Sequence, residues 1–133
     1  MTKNELIVQT IVSPLFAENT YVAHLRDASD CLVVDPGIDP QKILHAIDEE
    51  KLNPVAILNT HGHADHIAGN GALKASYPEA PLIIGEGDAF KLTDPEANLS
   101  AGYGMPIVSP EADRLVNEPD VLNLAGVELE VFH

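Results

Sequence analysis

The run Thr60-His61-Gly62-His63-Ala64-Asp65-His66 gathers three imidazoles and a carboxylate into a few residues. His61 and His63, two apart on an extended stretch, leave it on one side with Cα atoms ~6–7 Å apart. From there both rings can reach one ion at about 2.0–2.1 Å. After a turn, Asp65 and His66 can offer a carboxylate oxygen and a ring nitrogen to a second ion. Gly62 and Ala64 keep bulk out of the bend. The pattern predicts a divalent-metal centre with His61, His63, Asp65 and His66 as ligands. Asp65 is also the candidate catalytic group, orienting a water or, beside a single ion, serving as general base. One or two Zn²⁺ ions are the expected cofactor, and Fe²⁺ or Mn²⁺ suits the same donors. Such an ion lowers the pKa of a bound water to about 7.

Ligands of this kind need a rigid base. Val55–Leu58 is a short apolar run that reads as a buried strand leading straight into the motif. A helix from about Ile67 to Ser76, weakened by Gly69 and Gly71, is expected after it. Upstream, Leu6–Val12, Thr20–Leu25 and Cys31–Val34 read as strands, the last ending at the breaker Asp35-Pro36-Gly37. Asp39 and Pro40 open a helix whose apolar stripe is Ile43, Leu44 and Ile47 and which ends before Asn53-Pro54. Leu82–Ile84 is a further strand. The proline-punctuated stretch Glu86–Pro119 suggests short helices and loops. Val121–Leu124 and Val127–Phe132 suggest a hairpin turning at Ala125-Gly126. Strands alternating with helices indicate a layered α/β fold.

The 133 residues carry seven Lys+Arg against 21 Asp+Glu, a formal net charge of −14. That balance repels nucleic-acid phosphates and anionic membranes and favours a small-molecule substrate. No apolar run is long enough to span a bilayer, and the amino-terminal residues lack the pattern of a secretory signal. One cysteine, Cys31, cannot form an internal disulfide, which fits a cytoplasmic location; oligomeric state is left open.

The motif His61-x-His63-x-Asp65-His66 resembles the signature of the metallo-β-lactamase superfamily, and Val33-Val34-Asp35-Pro36-Gly37 resembles its upstream aspartate motif. Asp94-Pro95 with Asn98-Leu99-Ser100-Ala101-Gly102-Tyr103-Gly104 is similar to the connecting segment of the glyoxalase II-like branch. Leu129-Glu130-Val131-Phe132-His133 resembles the strand entering the next metal motif, H-T-P-G-H. The resemblance implies an αββα sandwich, with residues 1–133 as mainly its N-terminal half and the remaining ligands past His133. It assigns His61 and His63 to a first metal, Asp65 and His66 to a second, and Asp35 to bracing the motif loop. It implies a hydrolase of thioester or ester-like bonds, with a glutathione conjugate such as S-lactoylglutathione as substrate.

Two rivals share the motif. One is a mononuclear-iron sulfur dioxygenase acting on glutathione persulfide; the other is a metal-binding fragment without catalysis. His24 and His45 read as ordinary structural residues, Cys31 as a core residue, and Asp48-Glu49-Glu50 as a solvated helix face. Tyr103 reads equally as a pocket residue or a packed loop aromatic. Asn98-Leu99-Ser100 matches a glycosylation acceptor that has no meaning without secretion.

Overall fold

The computed structural model describes residues 5–132. Three β-branched or apolar runs form an antiparallel meander of β1 (Leu6–Val12), β2 (Asn19–Leu25) and β3 (Asp30–Val34). From β3 the sheet grows in parallel through β4 (Asn53–Asn59), β5 (Leu82–Gly85) and β6 (Arg114–Val116), giving six strands in sequential order. Parallel neighbours need crossovers. These are α1 (Pro40–Glu49), then α2 (Ala64–Ile67) with α3 (Asn70–Ser76), then a stretch holding 3₁₀ turns at Glu86–Leu92 and Ala101–Tyr103. β7 (Val121–Leu124) and β8 (Val127–Glu130) pair as a separate hairpin. Its turn residues Ala125 and Gly126 both take positive φ, 53° and 76°, as a type I′ turn requires.

The central strands are apolar without alternation because both faces of the sheet are covered. Cys31, Val33, Ile57, Leu82 and Ile84 point to one face, where they bury Ile43, Ala46 and Ile47 of α1 and Leu73 of α3. Leu32, Ala56, Ile83 and Val116 point to the other, where the hairpin residues Leu122, Leu124 and Leu129 cover them. The result is a helix layer, a sheet and the start of a second β layer, the α/β layering expected. Among the described residues no helix is long and apolar enough to cross a membrane.

Several local expectations need correction. The α1 stripe is Ile43, Ala46 and Ile47, with Leu44 only partly buried. Asp39 does cap this helix, accepting from the Lys42 N–H at 3.4 Å. β4 begins at Asn53 and contains Pro54, which has no N–H to donate; the β3–β4 register slips there, between Cys31/Leu32. The single helix expected over 67–76 is two helices, and the first begins inside the motif at Ala64. The break falls at Gly69, where an added Cβ would lie 2.7 Å from the Gly37 carbonyl oxygen. Close approach of two loops, not weak propensity, sets the break. β6 was not foreseen, because a three-residue strand in a proline-rich stretch carries no period. The Phe132 end of the hairpin falls past the last strand residue, Glu130, and His133 lies outside the described residues.

Cys31 is fully buried, and burial, with Asp30 nearby, pushes its thiol up to about 12. It should resist thiol reagents in the native protein and react only on unfolding. The unfolded thiol ionises near pH 9.0 and the folded one does not. Its contribution to stability should therefore fall as pH climbs from 9 towards 12, measurable against Cys31→Ala by denaturant titration. Ile47→Ala should lower the unfolding free energy by about 2–5 kcal/mol, read from the shift of the urea midpoint.

Candidate metal centre

Asp35 ends β3 in the left-handed region, φ 54°, and this bend turns its carboxylate towards the neighbouring strand. Its N–H donates to Leu58 O at 2.8 Å, so the ends of β3 and β4 are locked side by side. Ligand sites in parallel sheets lie beyond the carboxyl ends of the strands, and the motif loop follows β4 at that edge. Asp35 Oδ1 accepts the Thr60 N–H at 2.7 Å, and Oδ2 accepts the Thr60 hydroxyl at 2.6 Å. Oδ2 also lies 2.9 Å from His66 Nδ1. One buried carboxylate thus holds both ends of the motif loop.

These bonds set the histidine tautomers. An ionised carboxylate only accepts, so His66 presents Nδ1–H to Asp35 and leaves Nε2 with its lone pair. The Thr60 proton is committed to Asp35, so its oxygen accepts from His61 Nδ1 at 2.9 Å. His61 Nε2 is bare in turn. Neutral imidazoles with a free nitrogen are the metal-binding form, and a carboxylate on the opposite nitrogen raises ligand basicity. Partial burial, with His66 and His63 alongside, holds the His61 pKa below the ordinary imidazole value, keeping it neutral near pH 7.

The rings converge. His61 and His66 have centroids 4.1 Å apart, and His61 and His63 are 4.8 Å apart at 87°. His66 Nε2 lies 3.7 Å from Asp65 Oδ2. Ligand-capable atoms of Asp35, His61 and His66 fall within 4.8 Å of one another. Asp35 therefore stands as near the imidazoles as a ligand would, although both its oxygens are engaged by Thr60 and His66. His63, exposed, and Asp65, partly buried, open instead onto a cavity of about 180 Å³. Its walls include Phe16, Ile38, Leu99, Tyr103, Met105 and Ile107. Tyr103 meets Phe16 edge-on, with centroids 5.1 Å apart, so it is both a wall residue and a packed aromatic.

Three supporting residues escaped sequence reasoning. Asp88 accepts the Gly62 N–H at 2.8 Å and pairs with Lys91 at 3.4 Å. Partial burial works to raise its carboxyl, but the Gly62 and Lys91 contacts outweigh that and hold it below the usual range. Asn98 is fully buried. Its amide donates to Lys91 O and Ile107 O, its Oδ1 accepts from Ser100 N, and its carbonyl accepts from Ala64 N. The sequon asparagine therefore builds a cavity wall. Glu18, between β1 and β2, is buried with neither carboxylate oxygen hydrogen-bonded. Burial, with the charges of Asp35 and Asp65, pushes its carboxyl up to about 8. No periodicity marks any of the three. His24 and His45 stand apart from the cluster; His24 contacts its neighbour's carbonyl and His45 pairs with Glu49 on α1.

Residues 14–133 match the profile of the metallo-β-lactamase superfamily. The chain belongs to that superfamily. An Aquifex aeolicus protein of uncharacterized function is 31% identical over 128 residues, covering 96% of this chain and 59% of the relative. A hydroxyacylglutathione hydrolase of Cronobacter sakazakii is 32% identical over 119 residues, 90% of this chain and 39% of that one. Among solved structures, the BLEG-1 B3 metallo-β-lactamase superposes with a TM-score of 0.89 at 29% identity, over 96% of this chain and 61% of its own. TTHA1623, solved in a di-iron-bound form, gives 0.73 at 26% identity over 87% and 60%. The fold is thus the metallo-β-lactamase fold, and the chain spans some three-fifths or less of these relatives. Superfamily membership accords with the donor set, since three imidazoles and a carboxylate at a sheet edge suit a divalent ion better than any purely organic cofactor.

The Thr60 hydroxyl is the link between Asp35 and His61. Thr60→Val should weaken Zn²⁺ binding by about 10–100-fold, and Thr60→Ser should restore it, measured by competition with a chromophoric chelator.

Proposed function

We propose that the intact protein is a metal-dependent hydrolase of thioester or ester-like bonds. The observation that carries this reading is the histidine cluster with its Nε2 atoms left free, flanked by His63 and Asp65 at the mouth of an apolar-walled cavity. His61, His63, Asp65 and His66 would hold one or two divalent ions, zinc or iron, with Asp35 bracing His66 directly and His61 through Thr60. We read this chain as the N-terminal portion of one such domain, whose remaining ligands come from elsewhere in the intact protein. A bound ion supplies a strong nucleophile from water at neutral pH and polarises a carbonyl oxygen.

The chain's own residues do the rest. Asp65 orients the attacking water towards the cavity and, beside a single ion, serves as its general base. Phe16, Leu99, Tyr103, Met105 and Ile107 offer apolar cavity wall to the carbon skeleton of the substrate. Similarity to a hydroxyacylglutathione hydrolase favours a glutathione thioester among small acyl substrates. The net charge of −14 disfavours a polynucleotide.

Elemental analysis of the intact protein together with S-lactoylglutathione hydrolysis tests this. Bound metal and thioester turnover are expected. His61→Ala and His63→Ala should each lower turnover beyond the roughly 10–100-fold that losing an outer partner costs. Absence of metal, or turnover indifferent to both substitutions, would end the reading. Iron alone with oxygen uptake on glutathione persulfide would replace it with the sulfur dioxygenase. Full metal with no turnover of thioester, lactone or persulfide would leave a metal-binding protein.

A further inference from the structure

Glu18 has no partner that accounts for its burial. Its side chain is wholly inaccessible, and neither oxygen has a hydrogen bond. The Thr20 hydroxyl is close by, but its proton goes to Asp35 O at 2.7 Å and its oxygen accepts the Gly37 N–H at 3.1 Å. An ionised group buried without a partner is among the least favourable arrangements in a protein interior.

The backbone nevertheless forces Glu18 inward. Phe16 and Ala17, just before it, both hold positive φ at 67° and 50°, a strained conformation for side-chain-bearing residues. Ser13 N–H closes the loop on Glu18 O at 2.8 Å. Opposite, Gly37 leaves the space that the carboxylate fills, since a Cβ there would collide with Glu18 Oε2. Strain on one side and a glycine on the other aim one carboxylate at the histidine cluster.

It arrives behind His66. Oε1 lies 3.6 Å from His66 Nδ1, the nitrogen that Asp35 Oδ2 holds at 2.9 Å. The Nδ1 edge of this imidazole thus faces two carboxylates, while Nε2 faces Asp65 on the other side. Three carboxylates packed around one ring repel one another unless cationic charge lies among them. A divalent ion on Nε2 supplies that charge within a few ångströms.

We infer that Glu18 is a positioning residue for the metal centre: a buried counter-charge that acts through His66 and that the bound ion offsets. This rests on the metal centre proposed above. Burying the Glu18 carboxyl without a hydrogen bond should cost the metal-free protein stability, whereas its charge opposite a bound ion should strengthen metal binding, two effects of opposite sign. A carboxylate with a merely structural role would not separate them.

The test uses the intact protein, stripped with a chelator and titrated with Zn²⁺ against a chromophoric competitor, with melting of the metal-free form alongside. Glu18→Gln keeps the shape and removes the charge. It should raise the Zn²⁺ dissociation constant about 10–100-fold and raise or leave unchanged the melting temperature of the metal-free protein. Glu18→Asp should recover part of the affinity. Equal Zn²⁺ affinity in wild type and Glu18→Gln would overturn the inference and leave the metal centre standing. A metal-free Glu18→Gln protein that melts lower, or fails to fold, would overturn it by showing a structural role. A wild type that binds no Zn²⁺ would remove both this inference and the centre on which it rests.

Discussion

The carboxylate of Asp35 is the point on which the site depends. It follows one strand, bonds both the backbone and the side chain of Thr60 at the end of the next, and faces His66 in the short helix after the motif loop. Asp88 and Asn98 hold the backbone of the motif at Gly62 and Ala64, but only Asp35 among the described residues bonds both Thr60 and the His66 ring. With it, two rings are turned so that the nitrogen facing the site carries a lone pair. The cluster is thus oriented by hydrogen bonds that belong to the protein, in the form that the proposed metal centre would need.

The sheet makes this possible by placing β3 and β4 side by side in parallel, with Val34 against Leu58. Their exits therefore emerge together at one edge. Burial on both faces fixes that register, because slipping by one residue would exchange Leu32 for its neighbours and turn every apolar contact to the wrong layer. Gly69 completes the arrangement by letting the helix after the motif approach the Asp35-Pro36-Gly37 turn, where its N–H donates to Pro36 O at 2.9 Å. Core packing and ligand geometry are consequently one problem here: the residues that bury the sheet also set the distance between Asp35 and His66.

Acidic side chains crowd the site, and the one buried without a hydrogen bond, Glu18, is the one whose carboxyl burial pushes up to about 8. Glu18, Asp35 and Asp65 stand around a single imidazole, and Asp88 lies just beyond the bend at Gly62. On the other side the cavity wall is apolar, with Phe16 and Tyr103 stacked edge-on. Acidic groups backing neutral imidazoles suit a divalent cation on the nitrogens that those groups leave free.

Much of this was readable along the chain. Spacing alone marked His61, His63, Asp65 and His66 as candidates, since such groups within one short segment need no knowledge of the fold to be seen as a set, whereas the grouping of Asp35 with His61 and His66 came from the fold. Continuous apolar runs such as Cys31–Val34 announced strands covered on both faces, and the breaker Asp35-Pro36-Gly37 marked where the first of them stops. What tertiary structure alone decided are the relations between distant segments: Asp35 with Thr60 and His66, Gly37 with Gly69 and Glu18, Asp88 with Gly62, and Asn98 with Ala64. Each joins residues separated by loops or whole elements, and its strength comes from burial and from distances of a few ångströms. One-dimensional order carries residue types and local periods. It does not carry the register of a sheet, and that register determines which carboxylate comes to lie behind which imidazole.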